Sequence, residues 1–290
     1  MIDLHSHTTN SDGTWSTKKL LTEADKLGLE VLSITDHDTA KSYMEIENDK
    51  ELQNIFKGKI IKGVELNCTF DGVKIEVLAY LFDLKPVQEM LEDYYSPEKN
   101  RSRLIEEFND LVNICKEKGI KIDEDLKCNP DTEYPVDVIY YNIIKYEENK
   151  KFFTEKQWND LDLFYRTCTV DKNFPLYLDF SKQMPSLEFY NEFIHKHNGK
   201  IFLAHLYKYQ VADHISYLNK IVDKNLIDGI EVYHSSFTNA QIKTLEKYCN
   251  DRNLLISGGS DCHGEKKSDR KLGIGYGNLN INKQIIQNWN

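Results

Sequence analysis

Two short runs, His5-Ser-His7 near the start and Asp261-Cys-His263 near the end, each place a pair of metal-binding side chains two residues apart. On an extended strand, residues i and i+2 point to the same side, so both members of a pair can reach one cation. Between these runs lie Asp36-His37-Asp38, Glu65, His205 and His234, all at the ends of apolar runs. Imidazoles mixed with carboxylates suit borderline or hard divalent ions such as zinc, manganese or iron. His195-Lys-His197 has the same spacing but falls in a helical pattern over 187–198. There the two rings diverge by about 200° and cannot chelate together. Taken singly, a His or Asp at a strand end is most often a cap or turn former. A series of strands that all end in such residues points instead to one metal centre.

The elements that must position these groups follow from the apolar periodicity. Strands are expected over 2–4, 31–34, 60–64, 200–204, 229–233 and 254–257. A hairpin turn at Phe70-Asp-Gly72 leads into a strand over 73–82. Helices are expected from Ser16, as N-cap, to Leu27 with Gly28 as stop, over 98–118 ended by Gly119, and over 212–224 and 241–252. Strands alternating with helices imply parallel βα units and an α/β fold, in which the C-terminal strand ends share one face. Dispersed ligands can then converge on a single pocket. The stretch 122–185 breaks the rhythm. It is rich in Tyr and Lys and mainly helical in pattern, which reads as an inserted helical subdomain between 1–121 and 186–290.

Composition narrows the function classes. The 290 residues carry 37 Lys plus Arg against 47 Asp plus Glu, a net charge of −10, with 29% charged and 40% hydrophobic residues. This is a folded globular chain. Its acidity excludes a basic groove that grips long nucleic acid, but not a pocket for a small phosphorylated substrate. The six cysteines form no C-x-x-C pair and read as reduced thiols. No apolar run approaches the ~18 residues of a membrane helix, and the strand that starts at Ile2 leaves no room for a signal peptide. A soluble, cytoplasmic protein without membrane contact is expected; nothing in the sequence sets an oligomeric state.

The runs Asp3-Leu-His-Ser-His7, Ser11-Asp-Gly13, Thr35-Asp-His-Asp38, Gly63-Val-Glu65, Ala204-His205 and Gly259-Ser-Asp-Cys-His-Gly264 resemble, in order and spacing, the motifs of the PHP (polymerase and histidinol phosphatase) family. The resemblance implies a distorted (β/α)7 barrel with a helical insertion, and three divalent metal ions (Mn, Fe or Zn) at its C-terminal face. His5, His7, Glu65 and Asp261 would hold one ion, and Glu65 would bridge to a second that His205 also binds. Asp12, His37 and His263 would hold the third. Glu76 stands where the family usually has a His, which would shift the metal preference toward manganese or iron. Leu206 replaces a common Pro, Lys208 lies near a usual Arg, and Asp137 sits about where relatives often have a His.

Among family members the similarity is greatest to stand-alone phosphoesterases that act on nucleoside bisphosphates and short RNA ends. The function implied is hydrolysis of a small phosphomonoester, either a nucleoside bisphosphate or an oligonucleotide end, by in-line attack of a metal-bound hydroxide on phosphorus. Glu65 and Asp261 would organise that centre. His234 would bind phosphate or protonate the leaving oxygen, and Arg101, Arg103 and Lys208 would bind a second phosphate. With three ions, four carboxylates and a hydroxide the cluster would carry about +1, enough to attract phosphate. Lys266-Lys-Ser-Asp-Arg-Lys271 reads as a solvated loop that could flank the substrate mouth, and Gly273-Ile-Gly-Tyr-Gly277 is followed by no helix pattern and is no dinucleotide fingerprint. Two alternatives are a histidinol-phosphate phosphatase and a non-catalytic, metal-stabilised binding domain.

Overall fold

The computed structural model describes residues 1–171, 173–179 and 183–289. A parallel sheet in the order β1-β2-β3 is formed by β1 (Ile2–Asp3), β2 (Val31–Leu32) and β3 (Lys59–Ile60). A second sheet, in the order β4-β5-β6-β7-β8, contains β4 (Gly63–Phe70), β5 (Val73–Tyr80), β6 (Lys200–Leu203), β7 (Gly229–His234) and β8 (Leu255–Gly259). β6, β7 and β8 run parallel, as the alternating pattern implied, whereas β5 runs antiparallel to β6. The hairpin causes this reversal. Asp71 and Gly72 both take left-handed conformations, φ +51° and +69°, the pair that a type I′ turn demands.

The continuous seven-stranded barrel expected from the resemblance is not what the ladders form. Among the described residues there are two sheets, which meet through isolated bridges between Ser6 and Cys262 and between His37 and Glu65. The reason is local. β1, β2 and β3 are two residues long, and the chain leaves the ladder where the ligand-type residues begin. Asp38, His205 and Asp261 take positive φ values of +52°, +22° and +55°, a strained backbone for residues with a Cβ. Such kinks end regular pairing while they turn side chains inward.

Contact density divides the chain into two units, Met1–Cys68 with Ile75–Glu92 and Pro185–Asn290, and Thr69–Lys74 with Asp93–Met184. The early helices are α1 (Thr17–Lys26), α2 (Lys41–Asn48), α3 (Lys50–Ile55) and α4 (Leu84–Tyr94). Ser16 caps α1 by accepting a hydrogen bond from Lys19 N at 3.2 Å. α2 has no side-chain cap, so the sequence carries little local signal for it. The second unit contains α5 (Pro97–Lys118), α6 (Pro135–Ile143), α7 (Glu155–Asn159) and α8 (Leu161–Phe164). α5 ends at a left-handed Gly119. Its Leu111 and Cys115 share one apolar cluster with Ile120, Val136, Ile139, Ile143, Phe164 and Leu176. α5 therefore packs with the helices of the insertion, and the expected boundary at 122 falls within that cluster.

The first unit continues with α9 (Leu187–Lys196), α10 (His214–Asp223) and α11 (Asn239–Arg252). Its two chain ends meet in one core, where Ile2 and Leu4 pack with Tyr80, Phe202, Leu279, Ile281 and Trp289. The Trp289 ring lies 4.5 Å from Phe202 and 4.9 Å from Tyr80, and its indole N–H donates to Ile256 O at 3.1 Å. No helix among the described residues is long and apolar enough to cross a membrane.

Close approach of the first and last motifs requires Gly259. A Cβ there would sit 2.3 Å from His5 N and 2.6 Å from Asp3 Oδ1. Gly259→Ala is expected to cost about 1–3 kcal/mol, as overpacking typically does, read as a lower urea midpoint with an unchanged slope.

Candidate metal centre

Six histidines and four carboxylates gather at the ends of β1, β2, β4, β6, β7 and β8 and on β5. Glu65, on β4, is the hub. Its Oε2 lies 3.1 Å from His5 Nε2, 3.3 Å from His7 Nε2 and 3.3 Å from His37 Nδ1, while Oε1 lies 2.8 Å from His205 Nε2. Glu76 stands on the same side of β5, 3.1 Å from His205 Nε2 and 3.9 Å from His37 Nδ1. Asp261 Oδ1 approaches His7 Nε2 at 3.3 Å and His263 Nδ1 at 3.4 Å. Asp12 Oδ1 faces His263 Nε2 at 3.1 Å and His37 Nε2 at 3.8 Å. Three groups have donor atoms within 4.8 Å of one another: His7, Asp12, His37 and His263; His5, His7 and Asp261; His37, Glu65 and Glu76. The i, i+2 pairs both point inward, although they lie just beyond β1 and β8 and Asp261 takes a left-handed φ of +55° where a strand was expected. His195 and His197 do not pair: His195 binds Asp228 at 2.8 Å and His197 packs on Phe193.

The residues fit divalent cations by the chemistry of the donors and by their lack of other partners. Both ring nitrogens of His7, Nδ1 of His37 and of His205, and Oδ1 of Asp12 are buried without a hydrogen bond. Buried polar atoms are normally satisfied, and a cation is what imidazole lone pairs and carboxylates can satisfy together.

Electrostatics shows how these groups sense one another. Burial alone would push His7 down, but Asp261 and Glu65 outweigh it and raise its pKa to about 9. His205 is likewise raised to about 9, against burial and Lys208, by Glu65 and Glu76. His5 is held well above its ordinary value because Glu65 and Glu231 overcome burial. Burial favours neutral carboxyls, yet neighbouring histidines hold Glu65 and Asp261 well below the usual range. His234 is different: burial dominates and brings it to about 4.

Of Asp36-His37-Asp38 only His37 joins the cluster; its two neighbours are engaged elsewhere. Asp36 instead accepts from Thr8 N, Thr8 Oγ1, Ser11 Oγ and Ser42 Oγ at 2.6–2.7 Å, which fixes the loop that carries Asp12. Asp38 accepts from Asn67 N at 2.9 Å. Two further carboxylates escaped the sequence reading. Glu231 Oε1 lies 2.7 Å from His5 Nδ1, and its Oε2 accepts from His205 N at 2.8 Å. It orients one ring and holds the kinked backbone of another, as outer carboxylates do around metal-binding histidines. Asp3 accepts from His5 N, Ser260 N, Ser260 Oγ and Gly273 N at 2.6–3.2 Å, joining the first and last motifs. Its sequence signal was its place at the head of the run Asp3-Leu-His-Ser-His7, which gave it no role.

His234 is buried beside the cluster, with Nε2 3.3 Å from Asp261 Oδ2 and Nδ1 2.7 Å from Ser236 Oγ. Lys208 Nζ reaches Asp261 Oδ2 at 3.1 Å. The loop read as solvated touches the cluster: Lys266 Nζ donates to Asp12 Oδ2 at 2.9 Å, Lys267 Nζ lies 2.8 Å from His263 Nε2, and Arg270 bonds Asp261 Oδ2. Arg101 and Arg103 belong to the second unit, where they are already engaged. Arg101 pairs with Asp131 at 3.0 Å, and Arg103 donates to Tyr94 O at 2.7 Å and stacks over the Tyr94 ring.

A stretch of 81 residues is 36% identical to a 5′-3′ exoribonuclease of Haemophilus influenzae and covers 28% of each chain. Another, of 116 residues, is 29% identical to the 5′-3′ exoribonuclease Rnm of Salmonella typhimurium and covers 39% of each. The matches thus span well under half of these curated relatives. Over 98% of this chain the fold superposes, with a TM-score of 0.60 and 21% identity, on 93% of a proposed metal-dependent phosphoesterase from Bifidobacterium adolescentis. The model of the PHP domain matches residues 3–263, a span that begins at Asp3 in the first motif and ends at His263 in the last. The chain belongs to the PHP domain family.

Proposed function

We propose that this protein hydrolyses a small phosphomonoester, a nucleoside bisphosphate or an oligonucleotide end, at a centre of up to three divalent ions. As a member of its family it is a metal-dependent hydrolase. The observation that carries the finer reading is the set of three adjoining donor groups that share His7 and His37, with lysine and arginine side chains beside them. The exoribonuclease names of the curated relatives support an RNA end as the place of action, although an exoribonuclease cleaves the terminal phosphodiester and not a monoester. In the same proposal the two sheets are arcs of a distorted barrel. Backbone hydrogen bonds from His7 N to Cys262 O and from Asp38 N to Glu65 O, 2.9 and 2.8 Å, support this at both seams.

When bound, divalent ions supply Lewis acidity toward phosphoryl oxygens and a nucleophile at neutral pH. The chain does the rest. His5, His7, Glu65 and Asp261 would hold one ion, His205 and Glu76 with Glu65 a second, and Asp12, His37 and His263 a third. Glu231 keeps the His5 ring turned so that Nε2 faces the cluster. His234, with Nδ1 engaged by Ser236 and Nε2 directed to the cationic side of Asp261, is kept neutral by burial, so of its two expected roles it takes the binding of a phosphoryl oxygen and not the protonation of the leaving oxygen. The roles of Arg101 and Arg103 as binders of a second phosphate rest on the family resemblance.

Phosphate release from adenosine bisphosphate, histidinol phosphate and p-nitrophenyl phosphate, measured with added manganese, tests the reading. Release is expected to need metal and to fall by at least about 100-fold in His37→Ala and Asp261→Ala. No metal-dependent release from any substrate would sink it, and release from histidinol phosphate alone would favour the phosphatase alternative. Metal binding itself should depend on pH. His7 and His205 keep protons up to about 9 in the metal-free protein, and a bound ion must displace them. Affinity for manganese or zinc is therefore expected to rise continuously between about pH 6 and about pH 9. A plateau above pH 7 by calorimetry would show that the carboxylates do not hold those protons.

A further inference from the structure

Asp261 presents two sides. Oδ1 faces the metal-binding histidines. Oδ2 takes Lys208 Nζ at 3.1 Å, His234 Nε2 at 3.3 Å and the Arg270 guanidinium. Two full positive charges and an imidazole thus converge on one carboxylate oxygen. A single carboxylate balances at most one cation, and a carboxylate that ligates a metal has given up most of that charge. The remainder is a positive site next to the cluster.

Arg270 is built into this position. Its side chain is only 14% exposed, and burying a guanidinium is costly unless it meets an anion. Nε donates to Tyr276 Oη at 2.9 Å, and Arg270 N donates to Lys267 O at 2.9 Å. The turn that follows is closed by a bridge between Lys271 and Gly275 and pinned by Gly273 N to the buried Asp3 at 2.7 Å. The fork is therefore held in place by its own loop as well as by Asp261.

We propose that Arg270 and Lys208 form a receptor for the dianionic phosphoryl group of a terminal phosphate, gripping oxygens that face away from the metal-binding histidines. The inference rests on the phosphoesterase reading and sharpens it. A phosphomonoester carries close to two negative charges at neutral pH and a phosphodiester one, so two fixed cations select chain ends and free monoesters over internal linkages. The guanidinium contributes a planar pair of donors and Lys208 a point charge.

The test uses the metal-loaded protein with inorganic phosphate as probe, by calorimetry, and elemental analysis of bound metal alongside. Arg270→Gln is expected to weaken phosphate binding by about 10-fold or more, the worth of one hydrogen bond between charged groups, with metal content unchanged. Arg270→Lys should recover part of the loss. Tyr276→Phe, at an exposed position, should weaken binding in the same direction and guards against a folding defect in the first variant. KM for p-nitrophenyl phosphate should rise in Arg270→Gln while turnover of bis(p-nitrophenyl) phosphate changes much less. Unchanged phosphate affinity, or loss of bound metal in Arg270→Gln, would overturn the proposal; the latter would make Arg270 a support for Asp261. If no substrate releases phosphate yet inorganic phosphate still binds through Arg270, the phosphoesterase reading fails and the anion site stands.

Discussion

Glu65 is the interaction on which the rest depends. A fully buried carboxylate is tolerated only where opposite charge or hydrogen bonds repay its lost hydration. Here ring nitrogens of four histidines, from three separate segments, lie within 3.3 Å of its oxygens. The converse holds for the rings, which meet carboxylates on every side. Neither set could be buried alone, so the ends of β1, β2, β4 and β6 must arrive together. Assembly of the core and assembly of the site are one constraint.

That constraint is enforced by backbone geometry as much as by charge. Kinks at Asp38, His205 and Asp261 store strain of a kind that persists only where surroundings over-determine it. Asp3 and Glu231 supply the surroundings next to Asp261 and at His205, since each collects donors from distant parts of the chain, and Asn67 with the Glu65 carbonyl holds Asp38. The apolar seal of Tyr80, Phe202 and Trp289 brings the C-terminal segment back onto the strand that begins with Ile2. With the first and last motifs so fixed, His5-Ser-His7 and Asp261-Cys-His263 face each other across one cluster.

The charge balance takes on a different meaning in three dimensions. The net charge of the chain is −10, yet part of the acid is internal: Asp3, Glu65, Glu231 and Asp261 are buried. Lys208, Lys266, Lys267 and Arg270 border the cluster. An acidic protein can thus present a cationic rim to a phosphorylated molecule, because a substrate responds to the local field and not to the sum over the chain.

Residue types and short-range periodicity determined a good deal by themselves. Ser16 and Gly119 mark helix ends, Asp71-Gly72 marks the hairpin, and the i, i+2 pairs just beyond β1 and β8 declare a metal centre because residue type and spacing next to a strand are local properties. His195-Lys-His197 could be set aside for the same reason. Glu231 was hidden, since within Gly229-Ile-Glu-Val-Tyr233 it looks like any residue of a half-buried strand; its partner His5 is 226 positions away. Arg270 was hidden in a run of charges that reads as a solvated loop, and the antiparallel pairing of β5 with β6 depended on a partner strand about 120 residues later. Spacing along the chain reveals which side chains share a face. Which carboxylate meets which imidazole, and which cation is left over for a substrate, is set by long-range packing, because those energies exist only when the segments are in contact.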